Sequence, residues 1–271
     1  MSDRDALTVA IVGTGEMGAA VGRRLRESGA RVVTSLAGRS ADSVARVRGA
    51  GLEVVNDDDT LVCDASFVLS IVPPGVAVEV AERLRGPVSR AKEPPVYVEC
   101  NAISPATCRR IGKLFDTTNF IDAGIIGGPP LAGTQDLAKA PRFYASGRDA
   151  YLLTRLGSFG LDVAILDGPI GAASGLKLSY AGLTKGFTAL CAAMLGAAER
   201  EGLTDALRAE LARSQPTFLK HFDRFVPAMR PKAYRFVDEM RQIAEFVGSP
   251  DNGATIYEGA ALLYQRIAGS S

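Results

Sequence analysis

A chain of 271 residues can bury a sizeable core and is long enough for one large or two modest domains. Its 31 basic and 30 acidic residues leave almost no net charge. This excludes the bulk electrostatic signature of a nucleic-acid binder or of a protein held on anionic lipid, and makes a small molecule the expected partner.

The opening stretch MSDRDALTVAIVGTGEMG carries acidic residues first and breaks into glycines, unlike a signal peptide, so a cytoplasmic location is expected. Short β-branched runs then alternate with longer amphipathic segments, as in a parallel sheet flanked by helices. Expected strands are Leu7 to Val12, Arg31 to Leu36, Glu53 to Val55, Ala65 to Ile71, Val96 to Glu99 and Asn119 to Gly124, extended by Arg142 to Gly147 and Asp162 to Gly168. From Ala172 the signals are helical: a long segment to about Glu199, then Asp205 to Arg213, Thr217 to Met229, Ala233 to Val247 and Gly253 to Ile267, separated by glycine- and proline-bearing breaks. The expected class is α/β: an N-terminal Rossmann doubly wound sheet over residues 1–168, followed by an all-α C-terminal domain over 169–271. The longest uncharged helical stretch, Gly186 to Ala198, is shorter than the roughly 18 to 20 apolar residues of a membrane span, so none is expected.

The cysteines Cys63, Cys100, Cys108 and Cys191 contain no C-x-x-C pair and read as buried free thiols. The single histidine, His221 in FLKHFDRF, excludes imidazole-rich metal sites and reads as a surface or packed residue; no metal is expected.

VAIVGTGEMG places Gly13, Gly15 and Gly18 after an apolar strand and before a helix, which is G-x-G-x-x-G in its βαβ context. Gly13 permits the tight turn, Gly15 lets the backbone approach a pyrophosphate, and Gly18 lets the helix pack on the strand. Thr14, Glu16 and Met17 complete this cofactor-binding turn, with the phosphates at the positive end of the helix dipole. A carboxylate at the tip of the second strand would accept hydrogen bonds from the ribose of NAD. Here the tip reads TSLAGRS. Gly38, Arg39 and Ser40 offer amides, a guanidinium and a hydroxyl suited to a 2'-phosphate, so NADP is the expected cofactor; the alternative is that Arg39 is an ordinary surface arginine.

With these motifs in this order the chain resembles the β-hydroxyacid dehydrogenase and 6-phosphogluconate dehydrogenase superfamily. The resemblance implies that SIVPPG lines the cofactor, with Val72, Pro73 and Pro74 as its contacts. It also implies that ECNAISP brings Asn101 beside the nicotinamide ribose, and that DAGIIGG is the substrate motif with Gly127 and Gly128. GAASGLK would then carry a catalytic lysine, Lys177. DAGIIGGPP, SGLKLSYAGLTKG and PKAYRFVDEM look like the branch whose short C-terminal domain has unknown function. Ile126 stands where the hydroxyacid enzymes commonly have serine, and Ala181 where they have asparagine, which implies a rebuilt substrate site with a more apolar wall. The resemblance further implies a homodimer formed through the helical half.

On a helix Lys177 shares a face with Tyr180, Ala181, Thr184 and Thr188, a small and polar stripe suited to a crevice, with Thr184 as a substrate contact. Lys185 lies one position off it and reads as reaching outward. Carbonyl reduction needs a proton donor at oxygen and alcohol oxidation a base there, and an amine serves both. Partial desolvation would have to lower Lys177 from a free value of about 10.4. The competing reading of Lys177 is a cap on nearby carbonyls. Tyr180 is a second donor candidate or a packing residue, and Arg230, Lys232 and Arg235 read as a solvated basic face.

The expected function is an NADP-dependent oxidoreductase acting on a small hydroxyacid or related alcohol/carbonyl pair. The alternatives are an imine reductase on the same fold and a non-catalytic NADPH-binding sensor. The short helical half and the incomplete G-N-S and lysine–asparagine signatures speak against 6-phosphogluconate decarboxylation.

Overall fold

The computed structural model describes residues 7–116, 118–133, 136–248 and 253–269. The chain divides into two compact units, Met1–Lys177 and Leu178–Ser271.

The first unit is built from β1 (Thr8–Val12), α1 (Glu16–Glu27), β2 (Arg31–Ser35), α2 (Ala41–Ala50), β3 (Glu53–Val55), α3 (Asp58–Cys63), β4 (Phe67–Ser70), α4 (Ala77–Arg90), β5 (Val96–Glu99), α5 (Pro105–Gly112), β6 (Phe120–Ile126), β7 (Arg142–Ser146) and β8 (Asp162–Ile165). The strands form one sheet in the order β3-β2-β1-β4-β5-β6-β7-β8. Neighbours are parallel except for β6 with β7. The first six strands have the doubly wound order 3-2-1-4-5-6, whose direction of progression reverses between β1 and β4.

Both faces of the sheet are covered along its central strands, which is why β1, β4, β5 and β6 are buried at successive positions instead of alternating. Val9, Ile11, Phe67, Leu69 and Val98 pack with Val21 and Leu25 of α1 and with Leu153 and Leu156 of a 3₁₀ run. Ala10, Val12, Val68 and Tyr97 pack on the opposite face with Leu61 of α3, Leu84 of α4 and Ile111 of α5. Cys63, expected to be buried, is exposed. It closes a six-residue helix whose inward positions are Leu61 and Val62.

A long helix joins the units: α6 (Ala172–Ala181), a π-helical turn over Gly182–Gly186, and α7 (Phe187–Arg200). The rest of the second unit is α8 (Thr204–Ser214), α9 (Pro216–Met229), α10 (Ala233–Val247) and α11 (Gly253–Gly269). Met240, Ile243 and Tyr264 are among its most buried side chains.

The π turn changes two expectations. Its winding departs from 3.6 residues per turn, so the spacing that draws Lys177, Tyr180, Ala181, Thr184 and Thr188 as one stripe does not carry through Gly182–Gly186. Ala181 and Thr188 are buried, and the Thr188 hydroxyl lies 3.2 Å from the His221 ring nitrogen. The turn also directs Lys185 inward, where its ammonium pairs with Glu239 of α10 and lies 4.6 Å from the centre of the Phe236 ring. Lys185 therefore does not snorkel outward: a carboxylate and an aromatic face are available within its own unit. Two motifs that mark the branch, SGLKLSYAGLTKG and PKAYRFVDEM, meet at this contact.

The helix passes through Lys185 without a break, so Ala172–Arg200 is one 29-residue element with an 18-residue window of mean hydropathy 1.3, of which 28% is buried. By length and composition it could cross a membrane, contrary to the sequence expectation, which ended the segment at the charge. A single such helix is also what the core helix of a water-exposed protein looks like.

Candidate active site

The glycine turn lies at the topological switch point. Gly13 follows β1 with φ +99°, and a Cβ there would fall 2.2 Å from the Ile71 carbonyl oxygen beyond β4. Only glycine lets these two strand ends approach so closely. A Cβ on Gly18 would lie 1.9 Å from the Gly13 carbonyl oxygen, so α1 also depends on a missing side chain to sit on the turn.

Gly15 is different: it caps α1 in an extended conformation with no side-chain bond to the first turn, and a Cβ there would meet nothing within 4 Å. No side chain at Gly15 therefore stands in the way of a ligand at the start of α1. Beside it Thr14 is buried and its Oγ1 has no hydrogen-bond partner among the described residues. The amides of a helix N-terminus and this hydroxyl are the donors a pyrophosphate requires, so the residues present fit a dinucleotide. Glu16 and Met17 begin α1, Glu16 exposed and Met17 half-buried.

A cleft beside this turn is lined by Gly13, Ser35, Ala37, Arg39, Leu61 and Arg83. Arg39 is half-buried there, in a tight turn closed by its backbone N–H donating to the Leu36 carbonyl at 3.1 Å. Ser40 caps α2, its hydroxyl accepting the Ser43 amide at 3.3 Å.

Asn101 sits under the loop after β4. Its Oδ1 accepts the Val72 amide at 2.6 Å and its Nδ2 donates to Ser70 Oγ at 3.0 Å, so this buried side chain ties the Val72-Pro73-Pro74 loop to the end of β5. Gly127, with φ +127°, and Gly128 are exposed beyond the end of β6, next to the half-buried Ile126.

Lys177 lies near the same strand ends. Its Nζ donates to the Cys100 carbonyl at 3.0 Å, and its Cβ would be 3.1 Å from a Cβ placed on Gly124 of β6. Gly127 and Gly128 follow on β6, so the C-terminal edge of the sheet carries the glycine turn, the Asn101 segment, the Gly127-Gly128 pair and Lys177. Tyr180, one turn further along α6, is 52% exposed. Thr184 belongs to the second unit, where its hydroxyl donates to the Tyr180 carbonyl at 2.9 Å.

Beneath Lys177 lies a feature that motif reading passed over. Ser70, Glu99, Asp122 and Ser146 are register neighbours across β4, β5, β6 and β7, and all four are fully buried. Asp122 Oδ2 accepts the amides of Gly171 and Ser174 at 2.8 and 3.1 Å and the Ser146 hydroxyl at 2.9 Å, while Oδ1 accepts the Ser174 hydroxyl at 2.6 Å. One carboxylate thereby caps the start of α6, which bears Lys177. Glu99 Oε1 accepts the Asn101 amide at 3.0 Å, and its Oε2 has no partner among the described residues. Burial pushes the Glu99 carboxyl up to about 8, against the Asn101 hydrogen bonds and the positive charge of Lys177, which lower it. The signal in the sequence was an acid inside each of two otherwise apolar strands, VYVE and FIDAGII.

Residues 8–149 match the NAD binding domain of 6-phosphogluconate dehydrogenase, and residues 198–267 match a domain of unknown function, DUF1932. The chain belongs to the 6-phosphogluconate dehydrogenase NAD-binding family. It is 27% identical over 201 residues, 74% of each chain, to an uncharacterized 28.5 kDa protein of Methanothermus fervidus. A solved conserved protein of unknown function, described as structurally similar to 3-hydroxyacid dehydrogenases, is 28% identical, with 97% and 98% of the two chains covered and a TM-score of 0.69. The Mycobacterium tuberculosis 3-hydroxyisobutyrate dehydrogenase solved with L-serine is 18% identical, with 97% and 94% covered and a TM-score of 0.72. A reductive aminase and two imine reductases at 13% to 18% identity share the fold. The chain thus has an NAD(P)-binding, hydroxyacid dehydrogenase-like fold with a helical C-terminal region, and its family membership supports an NAD(P)-dependent dehydrogenase.

Proposed function

We propose that the chain is an NADP-dependent oxidoreductase that interconverts a small hydroxyacid, or a related alcohol, with its carbonyl partner, using Lys177 as the acid–base group. The observation that carries this reading is the place of Lys177. Its ammonium is held on the Cys100 carbonyl at the sheet edge that also bears the glycine turn and Gly127-Gly128. A bound dinucleotide supplies the hydride for reduction and accepts it in oxidation. Lys177 gives a proton to the carbonyl oxygen in reduction and takes the hydroxyl proton in oxidation. The glycine turn binds the diphosphate, and Arg39 with Ser40 binds the 2'-phosphate. Asn101 holds the Val72-Pro73-Pro74 loop against the cofactor, and Gly127-Gly128 lets substrate approach the backbone.

The test is titration with NADPH and NADH, followed by a panel of hydroxy and keto acids, aldehydes, ketones and cyclic imines. NADPH-dependent turnover of a carbonyl supports the reading, and binding without any turnover favours the sensor. Ile126 and the buried Ala181 favour an imine reductase as the second reading, because neither can orient a carboxylate or hydroxyl. Turnover of imines alone would select it.

Arg39→Ala is expected to weaken NADPH binding about 10- to 100-fold and to leave NADH binding within about twofold. A charge-assisted bond to phosphate is worth about 1.5–3 kcal/mol, and NADH has no group for it. Equal losses for both cofactors in a fluorescence titration would return Arg39 to an ordinary surface role.

We also propose that the chain works as a homodimer. Leu190 and Met194 of α7 are each more than half exposed, and their spacing of four puts them on one side of the helix. A Leu190→Glu variant is expected to sediment at half the mass of the wild type. A wild type that sediments as a monomer, or that needs detergent to remain dispersed, would refute this use of the face.

A further inference from the structure

Among the described residues the polar row Ser70, Glu99, Asp122 and Ser146 is hydrogen-bonded except at Glu99 Oε2. Ser70 accepts from Asn101, Asp122 accepts four bonds, and Ser146 donates to Asp122 while accepting the Ala173 amide at 3.0 Å. Glu99 Oε2 is left over, fully buried. Glu99 directly precedes Cys100, whose carbonyl holds the Lys177 ammonium. One acid therefore lies a single peptide unit from the docking point of Lys177, with one carboxyl oxygen unpaired among the described residues. An apolar residue at position 99 would have avoided that cost.

The groups that face Glu99 come from every element packed around it. Tyr97 and Cys100 share its strand, Asp122 lies beside it on β6, Cys108 approaches from α5, and Lys177 approaches from α6; Arg83 of α4 acts on Tyr97. Among these groups Lys177 is the one positive charge acting directly on Glu99, and Asp122, already satisfied, faces it as a like charge.

We propose that Glu99 is a positioning residue that sets the proton on Lys177: ionised, it holds the proton on Nζ, and neutral, it lets that proton go. The inference rests on the reading of Lys177 as the acid–base group and adds to it the partner that tunes the lysine. The linkage is reciprocal, since a lysine charge that favours ionised Glu99 is itself favoured by that ionisation. Burial holds the Glu99 carboxyl near 8, so the change of state falls in the range where an acid–base lysine has to work. Above that pH, ionised Glu99 extends the range over which Lys177 can serve as an acid in reduction. Its removal lets Lys177 act as a base in oxidation at lower pH.

The experiment is an NMR titration of the full-length protein with its lysines reductively ¹³C-methylated, which keeps their charge. The Lys177 signal is assigned by its absence in Lys177→Arg. Glu99→Gln, which has the same shape and can still accept the Asn101 amide, is expected to lower the Lys177 midpoint by about one pH unit or more. The alkaline limb of reductive kcat/KM should move by the same amount, with NADPH affinity unchanged. A Lys177 midpoint equal to that of the wild type, in a variant that binds NADPH normally, overturns the proposal. A direct ¹³Cδ titration of the glutamates in the wild type supplies a second test without any variant: a slow-exchanging carboxyl titrating near 8 is expected, and its absence overturns the proposal. Neither NMR reading needs a substrate. A shifted midpoint with no turnover would refute the oxidoreductase reading and leave the Glu99 coupling standing, whereas Lys177-dependent turnover with an unshifted midpoint would do the reverse.

Discussion

Lys177→Met is expected to lower kcat by about 10² to 10⁴ while NADPH affinity stays within about twofold of the wild type. Methionine preserves the length and apolar stem of the side chain and removes only the ammonium, so packing against Gly124 survives. The structural loss includes the bond to the carbonyl of buried Cys100, and one such bond contributes about 0.5–1.5 kcal/mol. The catalytic loss is the proton donor, equivalent to about 2.7–5.5 kcal/mol of barrier. These magnitudes separate the two roles open to the residue. A lysine that merely caps a carbonyl would show a modest fall in melting temperature and nearly full turnover; a proton relay would show the reverse. Single-turnover measurement of hydride transfer is the proper assay, because slow product release could hide a tenfold loss in the steady state.

The centre of the sheet was legible because β1, β4, β5 and β6 are short, mostly apolar runs buried on both faces, which leaves no alternation to confuse the reading. The glycine turn was legible for a similar reason, since each of its glycines answers a backbone demand that appears in the structure as an impossible Cβ position. The second unit was harder. Propensity placed its helices within a residue or two, but the π turn at Gly182–Gly186 has no periodic signature: it adds a residue to one turn, and a stripe drawn with a period of 3.6 runs straight through it. Thr184 and Thr188 were therefore read on the face of Lys177, and Lys185 was turned outward, when Glu239 some fifty residues later supplied its partner. Asp122 and Glu99 went unremarked for a different reason. Each lay inside a quoted motif, yet what they do depends on the lateral register of β5, β6 and β7, a relation between strands that no single stretch contains.

Asp122→Ala is expected to destabilise the first unit by about 3–5 kcal/mol, the range for removing one member of a buried charged network. For a chain of this size that corresponds to a fall in melting temperature of about 10 °C. The carboxylate accepts from two amides and two hydroxyls and is fully buried, so its loss strands four donors in a site that water does not reach. Asp122→Asn should cost less, because one amide oxygen still accepts while the new NH₂ opposes a donor. The consequence for function follows from where those donors lie. Gly171 and Ser174 open α6, and Lys177 is one turn further on, so a loosened helix start displaces the ammonium even though Asp122 is bonded to none of its atoms. Catalysis is sensitive to displacements of about 1 Å, so turnover by folded Asp122→Asn should fall at temperatures where the variant remains intact. Gly124→Ala supplies the comparison: its Cβ would lie 2.7 Å from the Ala173 carbonyl oxygen and 3.1 Å from the Lys177 Cβ, pushing on the same turn from the sheet without touching the carboxylate. If both variants lose turnover with NADPH affinity intact, the placement of α6 is what the reaction depends on. If Asp122→Asn alone loses it, the charge of Asp122 acts on Lys177 directly, and the row beneath the lysine is electrostatic machinery in which Asp122 and Glu99 have to be counted together.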